Sequence, residues 1–432
     1  MHIDIIDDFS AIADLKSQWD SVYDSDPDAQ FFLSSTWIFH WMSVALTQRI
    51  VLAARPGPQG SDYVAFFPLR FRTLMKKGGG FYNVLDMACQ GIADYTGLIA
   101  RPEHDGEVVP AFADAIRQFA WTKLDLSFLR ASEARSDLLL KGFPAKDFRI
   151  KDESPAPPPG QPDHAICPYV ELPGDWETYL SGHMSANSRQ KARRLLKRVD
   201  EAADLRITHA DAASYERDID TLLQFWDTKW SMRRGRGVDA IVNIVREMMR
   251  HCFREDALLL PTLWQGDKPV CSLALLIDRR KLTYLFFMTG RDDDFEGPSP
   301  GFVLHAHAIR HAIANGFTNY DFLQGNDAYK YSFGVKERTV MNRTVTRKSQ
   351  QAGLDRRCLG TVLAKTRVLH RQGMLAEAER GYRQIIRLDP RDSGALFGLG
   401  NLLAGKGNRA QAEKYLKAAA ELEPPSAGTW HE

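Results

Sequence analysis

Two acids, a lysine and three tyrosines crowd one short stretch, Tyr320 to Gly334, "YDFLQGNDAYKYSFG". Its apolar opening reads as a buried strand, and Asp321 inside such a strand needs either a partner or a task. Gly325 ends the strand, and Asp327, Tyr329 and Lys330 follow in a loop. A lysine held among aromatic rings loses hydration, which lowers its pKa, or it holds positive charge against an oxyanion. The same residues also allow an Asp321–Lys330 ion pair that closes the loop over the sheet, and both alternatives stand at this point.

Other stretches raise the question of phosphate. "EGPSPGF" opens a helix after a strand, and a helix N-terminus offers unpaired N–H groups and a positive dipole end. Gly301 there lets the backbone come close to a ligand. The segment "SANSRQKARRLLKRVDE" sets Arg189, Arg193 and Arg194 among Leu195, Leu196 and Val199. That is either a solvated amphipathic face or a set of arginine forks suited to phosphate. The Gly-interrupted basic run "KWSMRRGRG" (Lys229–Gly237) is a weaker feature of the same kind. His307 and His311 stand at i, i+4 near His305, but the acid of HExxH is missing, so they are read as helix packing and no metal is expected. Neither GxSxG nor GxxxxGK[ST] occurs, which removes serine-hydrolase and P-loop chemistry.

The elements that must position these residues follow from patterning. A chain of 432 residues is long enough for two or three domains, each with its own core. The composition, 44% apolar and 26% charged, is that of a globular protein, and a net charge of +1 gives no pull toward nucleic acid or anionic membrane. The acidic start "MHIDIIDDFS" does not read as a signal peptide, and no apolar run approaches a bilayer-spanning length. Five scattered cysteines form no CxxC, which argues for a reducing cytoplasm over a disulfide framework or zinc site.

Lys151 to Ala165, with five prolines, reads as a linker between residues 1–150 and 166–349. The second segment orders as helices, the strands "ALLLPTLWQ", "VCSLALLID" and "LTYLFFMT", a helix "FVLHAHAIRHAIANG" and the strand at Tyr320. "GDKP" joins the first two strands as a hairpin, and Pro261 marks an edge or a bulge. The first segment repeats this order more faintly: helices, strands at "RIVLAA", "YVAFFPLRF" and "YTGLIA", a helix at "VVPAFADAIRQFA" and a strand "KLDLSFL". The aromatic "FFLSSTWIFHWMSV" reads as that segment's core. Two segments with one element order predict a duplicated α/β unit with a site in the cleft between them.

Residues 355–425 are helical and repetitive. Gly373, Ala378, Glu379 and Pro390 recur as Gly407, Ala412, Glu413 and Pro424 at a shift of 34, the tetratricopeptide period, with alanine where helices cross closely. Two such repeats bury little alone, so they are expected to dock on the body of the protein or on a partner.

Strand–strand–strand, Pro-Gly turn, helix, strand is the order of the GNAT acyltransferase core. Residues from Trp176 to about Gly334 resemble the GNAT-like acyltransferases associated with cellulose or exopolysaccharide biosynthesis, relatives of the double-domain FemAB peptidyltransferases. The matching pieces are "DWETYLSGHMSANSRQKARRLLKR", "SPGFVL" and "YDFLQGNDAYKYSFG", the last like the family's "DF..G...YK" ending and the "FKxxFG" of the Fem transferases. The resemblance implies an α/β (α+β) fold of two tandem GNAT-like domains followed by the all-α repeat tail. It implies transfer of an acyl group from acyl-CoA to an amine or hydroxyl of a sugar or small envelope precursor. Lys330, Asp321 and Tyr329 would be catalytic, Ser299, Gly301 and Phe302 would hold the donor, and Arg189, Arg193, Gly325 and Asp327 would face the acceptor. The full GNAT phosphate loop is reduced here to "EGPSPG", so coenzyme A is implied by the family only. The alternatives are a Fem-like transferase using aminoacyl-tRNA, against which the near-neutral charge weighs, and a scaffold that recruits a partner through its repeats.

Overall fold

The computed structural model describes residues 1–10, 12–45, 47–57, 60–154, 157–230, 238–349 and 353–422. Most of the basic run at 229–237 and the proline of the last repeat therefore lie outside the described residues. In chain order the first segment forms β1 (His2–Ile6), α1 (Lys16–Ser25), α2 (Ser35–Val44), β2 (Gln48–Arg55), β3 (Ala65–Met75), β4 (Phe81–Met87), β5 (Ile99–Ala100), α3 (Asp105–Gln118), β6 (Lys123–Leu129), α4 (Glu133–Lys141) and β7 (Phe148–Asp152). The second forms β8 (Ile166–Glu171), α5 (Trp176–His183), α6 (Ala186–Glu201), β9 (Leu205–His209), α7 (Tyr215–Trp230), α8 (Val238–Arg254), β10 (Leu258–Leu259), β11 (Pro261–Gln265), β12 (Lys268–Asp278) and β13 (Thr283–Arg291). It ends with α9 (Pro300–Ala314), β14 (Asn319–Asp321), β15 (Lys336–Thr339) and β16 (Met341–Arg347), and the tail is α10 (Leu359–Arg371), α11 (Leu375–Leu388), α12 (Ser393–Gly405) and α13 (Arg409–Leu422). Among the described residues no helix is long and apolar enough to cross a membrane.

The duplication is plain in the sheets. One sheet runs β1-β2-β3-β4-β6-β16-β7 and the other β15-β8-β14-β13-β12-β11-β9. Each has a single parallel step, β4 to β6 across α3 and β13 to β14 across α9, because a parallel neighbour needs a long crossover, which a helix supplies here. The strand that follows "YVAFFPLRF" is β4, Phe81–Met87, not "YTGLIA", which supplies only the two-residue β5 on the flank of β3. Gly97 and the bends around it keep that stretch from laddering further, while "FYNVLDM" follows a glycine-rich turn that pairs it with β3 throughout. Pro261 is not on an edge: β11 pairs with both β12 and β9, and the proline is tolerated as the strand's first residue, with the bulge falling at Leu263/Trp264.

The two segments share one core. Phe31, Phe32, Trp37 and Trp41 of the aromatic stretch do not serve the first segment alone: they pack in a cluster with Leu222, Met248, Leu276 and Leu285 of the second. Each such buried side chain contributes about 1.5–3 kcal/mol. Residues of both segments thus bury their apolar surface in one cluster, which holds the segments against each other. β16 strengthens this by crossing back to pair with β6 and β7.

The tail docks on the body, as its small size requires. Leu359, Val362, Ala378, Tyr382 and Ile385 lie in one core with Phe81, Leu85 and Trp121. Ala378 and Ala412 are buried at their helix crossings, and Gly373 and Gly407 end α10 and α12 in the left-handed conformation that glycine allows. Gln384 closes the joint by accepting from the Phe81 N–H and donating to the Phe81 carbonyl, both at 2.7 Å. Gln384→Ala, which leaves two backbone groups without a partner at this joint, is expected to cost about 1–3 kcal/mol, read as a lower denaturation midpoint at unchanged slope.

Candidate active site

The site begins where β13 and β14 part. They pair only over Thr283–Leu285 and Asn319–Asp321. Beyond Leu285, β13 stays with β12, whereas the chain after Asp321 follows β8, with the Phe322 N–H on the Pro168 carbonyl and the Gly325 N–H on the Ile166 carbonyl, each at 2.9 Å. A wedge opens between the strands, and a cavity lies on either side of it.

On the α9 side a cavity of about 410 Å³ is lined by Lys191, Gly290, Arg291, Ser299, Gly301, Phe302, His305, Asp327 and Tyr329. Ser299 caps α9 without a side-chain hydrogen bond and Pro300 has no N–H, so the Gly301 and Phe302 N–H groups of the first turn have no intrahelical acceptor. A Cβ on Gly301 would meet no protein atom within 4 Å, which leaves room for a ligand against the backbone. The cation that α6 sends to this cavity is Lys191, whose Nζ stands 4.3 Å from the Phe302 ring centre. Arg189 and Arg193 are not on the lining, and Arg193 is exposed and paired with Glu177. The amphipathic face explains this: Ala192, Leu195, Leu196 and Val199 are buried in one core with α9, and Lys191 stands beside that stripe at the start of the helix, next to the cavity.

On the opposite side a mostly apolar cavity of about 320 Å³ lies between the segments, lined by Ile92, Ala93, Asp94, Phe128, Trp226, Val245, Phe287, Met288 and Gln324 among others. Asp94 is its acid. Burial raises the Asp94 carboxyl from 3.8 to about 6, against the pull of Lys330 and a hydrogen bond from the Gln324 backbone. The Gln324 side chain returns a hydrogen bond to the Asp94 carbonyl. Phe128 and Leu323, which border this cavity and its loop, both hold left-handed backbones at φ 58° and 55°, a strain that tends to gather at functional positions.

The loop itself is organised by the residues that stood out in the sequence. Lys330 is 2% exposed, and its Nζ donates to the carbonyls of Phe322 at 3.1 Å and of Gln324 and Gly325 at 2.7 Å each. An ammonium has three hydrogens, so all are engaged, with Asp327 a further 3.4 Å contact. Asp321 does not pair with Lys330. It accepts the Tyr95 hydroxyl at 2.9 Å and the Leu323 N–H at 2.8 Å, and Arg338 stands 3.5 Å away. It thus ties the two segments together with no oxygen left facing a cavity. Gly334 is left-handed at φ 72° and lies so close to the His183 backbone that a Cβ would sit 2.0 Å from its carbonyl oxygen. Tyr329 is 42% exposed on the cavity wall beside His305. His305 is buried, bonded through Nδ1 to the Tyr320 hydroxyl at 2.9 Å, and held neutral at about 3 by burial and then by Lys330.

Ser299, Gly301, Phe302, Asp327 and Tyr329 thus come together on one cavity, Gly325 lies in the loop behind it, and Lys330 and Asp321 support that loop. Asp94, Lys191 and Gln324 were not singled out by the sequence. The acid in "GIADYTG" between two apolar neighbours was the available signal, but its partner lies 230 residues away. His209, His307 and His311 pack together on the far side of α9, with His209 and His307 joined at 2.8 Å. No group of three or more metal-ligating side chains is found among the described residues.

Two sheets, each with one parallel step, and a docked pair of helical repeats define a double GNAT fold with a C-terminal tetratricopeptide tail. Residues 186–331 match the acetyltransferase (GNAT) domain model and residues 369–430 a tetratricopeptide-repeat model, so the second segment carries a GNAT acetyltransferase domain. Among solved structures, FemX superposes with a TM-score of 0.54 at 11% identity, covering 80% of this chain and 97% of its own. A tandem GNAT protein from the clavulanic acid biosynthesis pathway does so at 0.41 and 10%, covering 81% of this chain and 100% of its own. The C-terminal domain (DUF2156) of a putative lysylphosphatidylglycerol synthetase from Agrobacterium fabrum gives 0.44 and 12%, covering 79% and 94%. No curated protein matches the chain.

Proposed function

We propose that the protein transfers an acyl group from acyl-CoA to an amine or hydroxyl of a sugar or small envelope precursor. One observation carries the proposal: the wedge between β13 and β14 has on one side a cavity at the first turn of α9, whose N–H groups have no intrahelical acceptor, and on the other a cavity lined by the Asp94 carboxyl. The Gly301 and Phe302 N–H groups with Lys191 suit a pyrophosphate. The wedge gives a thioester an extended path along β13. The acceptor enters between the segments, where the apolar walls exclude water, and its N–H or O–H points to Asp94. As the nucleophile attacks the thioester carbonyl, the C–N or C–O bond forms and Asp94 takes the released proton. The C–S bond breaks, and the sulfur leaves with its electron pair. Tyr329, on the wall of the donor cavity, then gives the sulfur its proton. Lys330 and Asp321 act as positioning residues through the loop they hold. Catalysis then rests mainly on alignment of the two substrates. The exposed faces of α12 and α13 are the part of the tail we propose to meet a protein partner, because α10 and α11 carry the joint to the body.

Lys191→Ala is expected to raise the KM for acyl-CoA about tenfold, equivalent to about 1.4 kcal/mol, with kcat nearly unchanged. Steady-state rates against donor concentration check this. Turnover of aminoacyl-tRNA with no response to acyl-CoA would overturn the choice of donor.

A further inference from the structure

A third cavity, of about 190 Å³, lies between the segments at the beginning of β13 and β14, away from both substrate cavities. Three cations line it: Arg130 from the first segment, and Lys281 and Arg338 from the second. Asp278 is on the same wall, but its carboxylate is occupied by the Tyr23 hydroxyl and by the Arg280 and Lys281 N–H groups. Arg338 is shared with Asp321 at 3.5 Å, and Lys281 donates to the Asp24 and Asp26 carbonyls. Arg130 is different. Its guanidinium faces the Tyr95 ring at 5.1 Å, and among the described residues no carboxylate pairs with it. Gln30 gives a second and independent sign. It is 2% exposed, its Oε1 is fixed by the Phe32 N–H at 2.7 Å, and its Nε2 has no hydrogen-bond partner. A partly buried guanidinium without an acceptor and two further cations on one small polar cavity call for negative oxygen, and the unpartnered Gln30 amide lies in the same wall.

We infer that this cavity is an oxyanion-binding site, of a size for one phosphate group, held by Arg130, Arg338 and Lys281, with Gln30 in the wall behind them. A guanidinium offers two parallel donors to such a group. Asn319 and Thr283 complete the wall. Because the ligands come from both segments, the anion braces them across Tyr95, whose hydroxyl holds Asp321 and whose neighbour is Asp94. The phosphate comes either from free inorganic phosphate or from a phosphate ester, and the chemistry of the site is the same for both.

The test is binding to the full-length protein, which needs no turnover and is independent of the acyltransferase proposal. Inorganic phosphate and, separately, ribose 5-phosphate are titrated by calorimetry and by thermal melting, with sodium chloride at matched ionic strength as the control. The expected result is saturable binding and a saturable Tm rise of about 2–5 °C at 100 times the Kd, lost by tenfold or more in Arg130→Gln, whose basal Tm stays near that of the wild type. Binding of both probes identifies a site open to esters, and binding of inorganic phosphate alone identifies a closed one; either supports the site. Absence of saturable binding in the wild type, or binding equally strong in Arg130→Gln and Arg338→Gln, overturns it and leaves the cavity to water.

Discussion

Asp94→Asn is expected to lower kcat by about 10²–10⁴-fold while making the protein more stable. The two effects share one origin. The carboxyl is raised from 3.8 to about 6 mainly by burial, so the folded state binds its proton more tightly than the unfolded chain does. Stability from this group is then greatest below the unfolded value and declines as pH rises from about 4 to about 6. Above that, the buried charge costs up to about 3 kcal/mol, at about 1.4 kcal/mol per unit, and an asparagine removes the cost. In the wild type kcat/KM should fall as pH drops below about 6, because a protonated Asp94 cannot accept the nucleophile's proton. A variant with an unchanged rate, or a rate profile flat from pH 5 to 8, would show that Asp94 is not the base. A lower Tm in the variant would place it among structural acids such as Asp321.

Lys330→Met should lower stability by about 3–5 kcal/mol, the size seen when one partner of a buried charged network is removed. Three carbonyls, of Phe322, Gln324 and Gly325, would lose their donor at once. Activity would fall with the loop, since Gln324 also holds Asp94. The denaturation midpoint separates this from a direct chemical role: a lysine that acts on the substrate would give an inactive enzyme of normal stability. Lys330→Arg should not rescue, because a planar fork cannot aim at three converging carbonyls in a space that leaves the side chain 2% exposed.

The family-like "DF..G...YK" ending was legible as a special stretch for sound local reasons: an acid in an apolar strand and a lysine among aromatics are costly unless partnered. Sequence could not say which partners. Asp321 found the side chains of Tyr95 and Arg338, and Lys330 found the carbonyls of Phe322, Gln324 and Gly325, which lie beyond the last residues paired between β13 and β14. The repeat period located the tail, and its alanines and glycines behave as the period requires. The missed strand β4 shows the limit of patterning, since "FYNVLDM" carries Asn83 and Asp86 inside a buried ladder. Those polar residues are satisfied by Thr73 and by Arg72, which only the fold supplies. Asp94 and Lys191 were invisible for a related reason: each matters through a neighbour on another element.

The most direct measurement is a crystal structure of the protein with coenzyme A bound at saturation. The expected position of the pyrophosphate is at the Gly301 and Phe302 N–H groups with Lys191 beside it, and that of the thiol end is in the wedge next to Gly290. Coenzyme A in the cavity that holds Asp94, or no binding along α9 at saturating concentration, would contradict it.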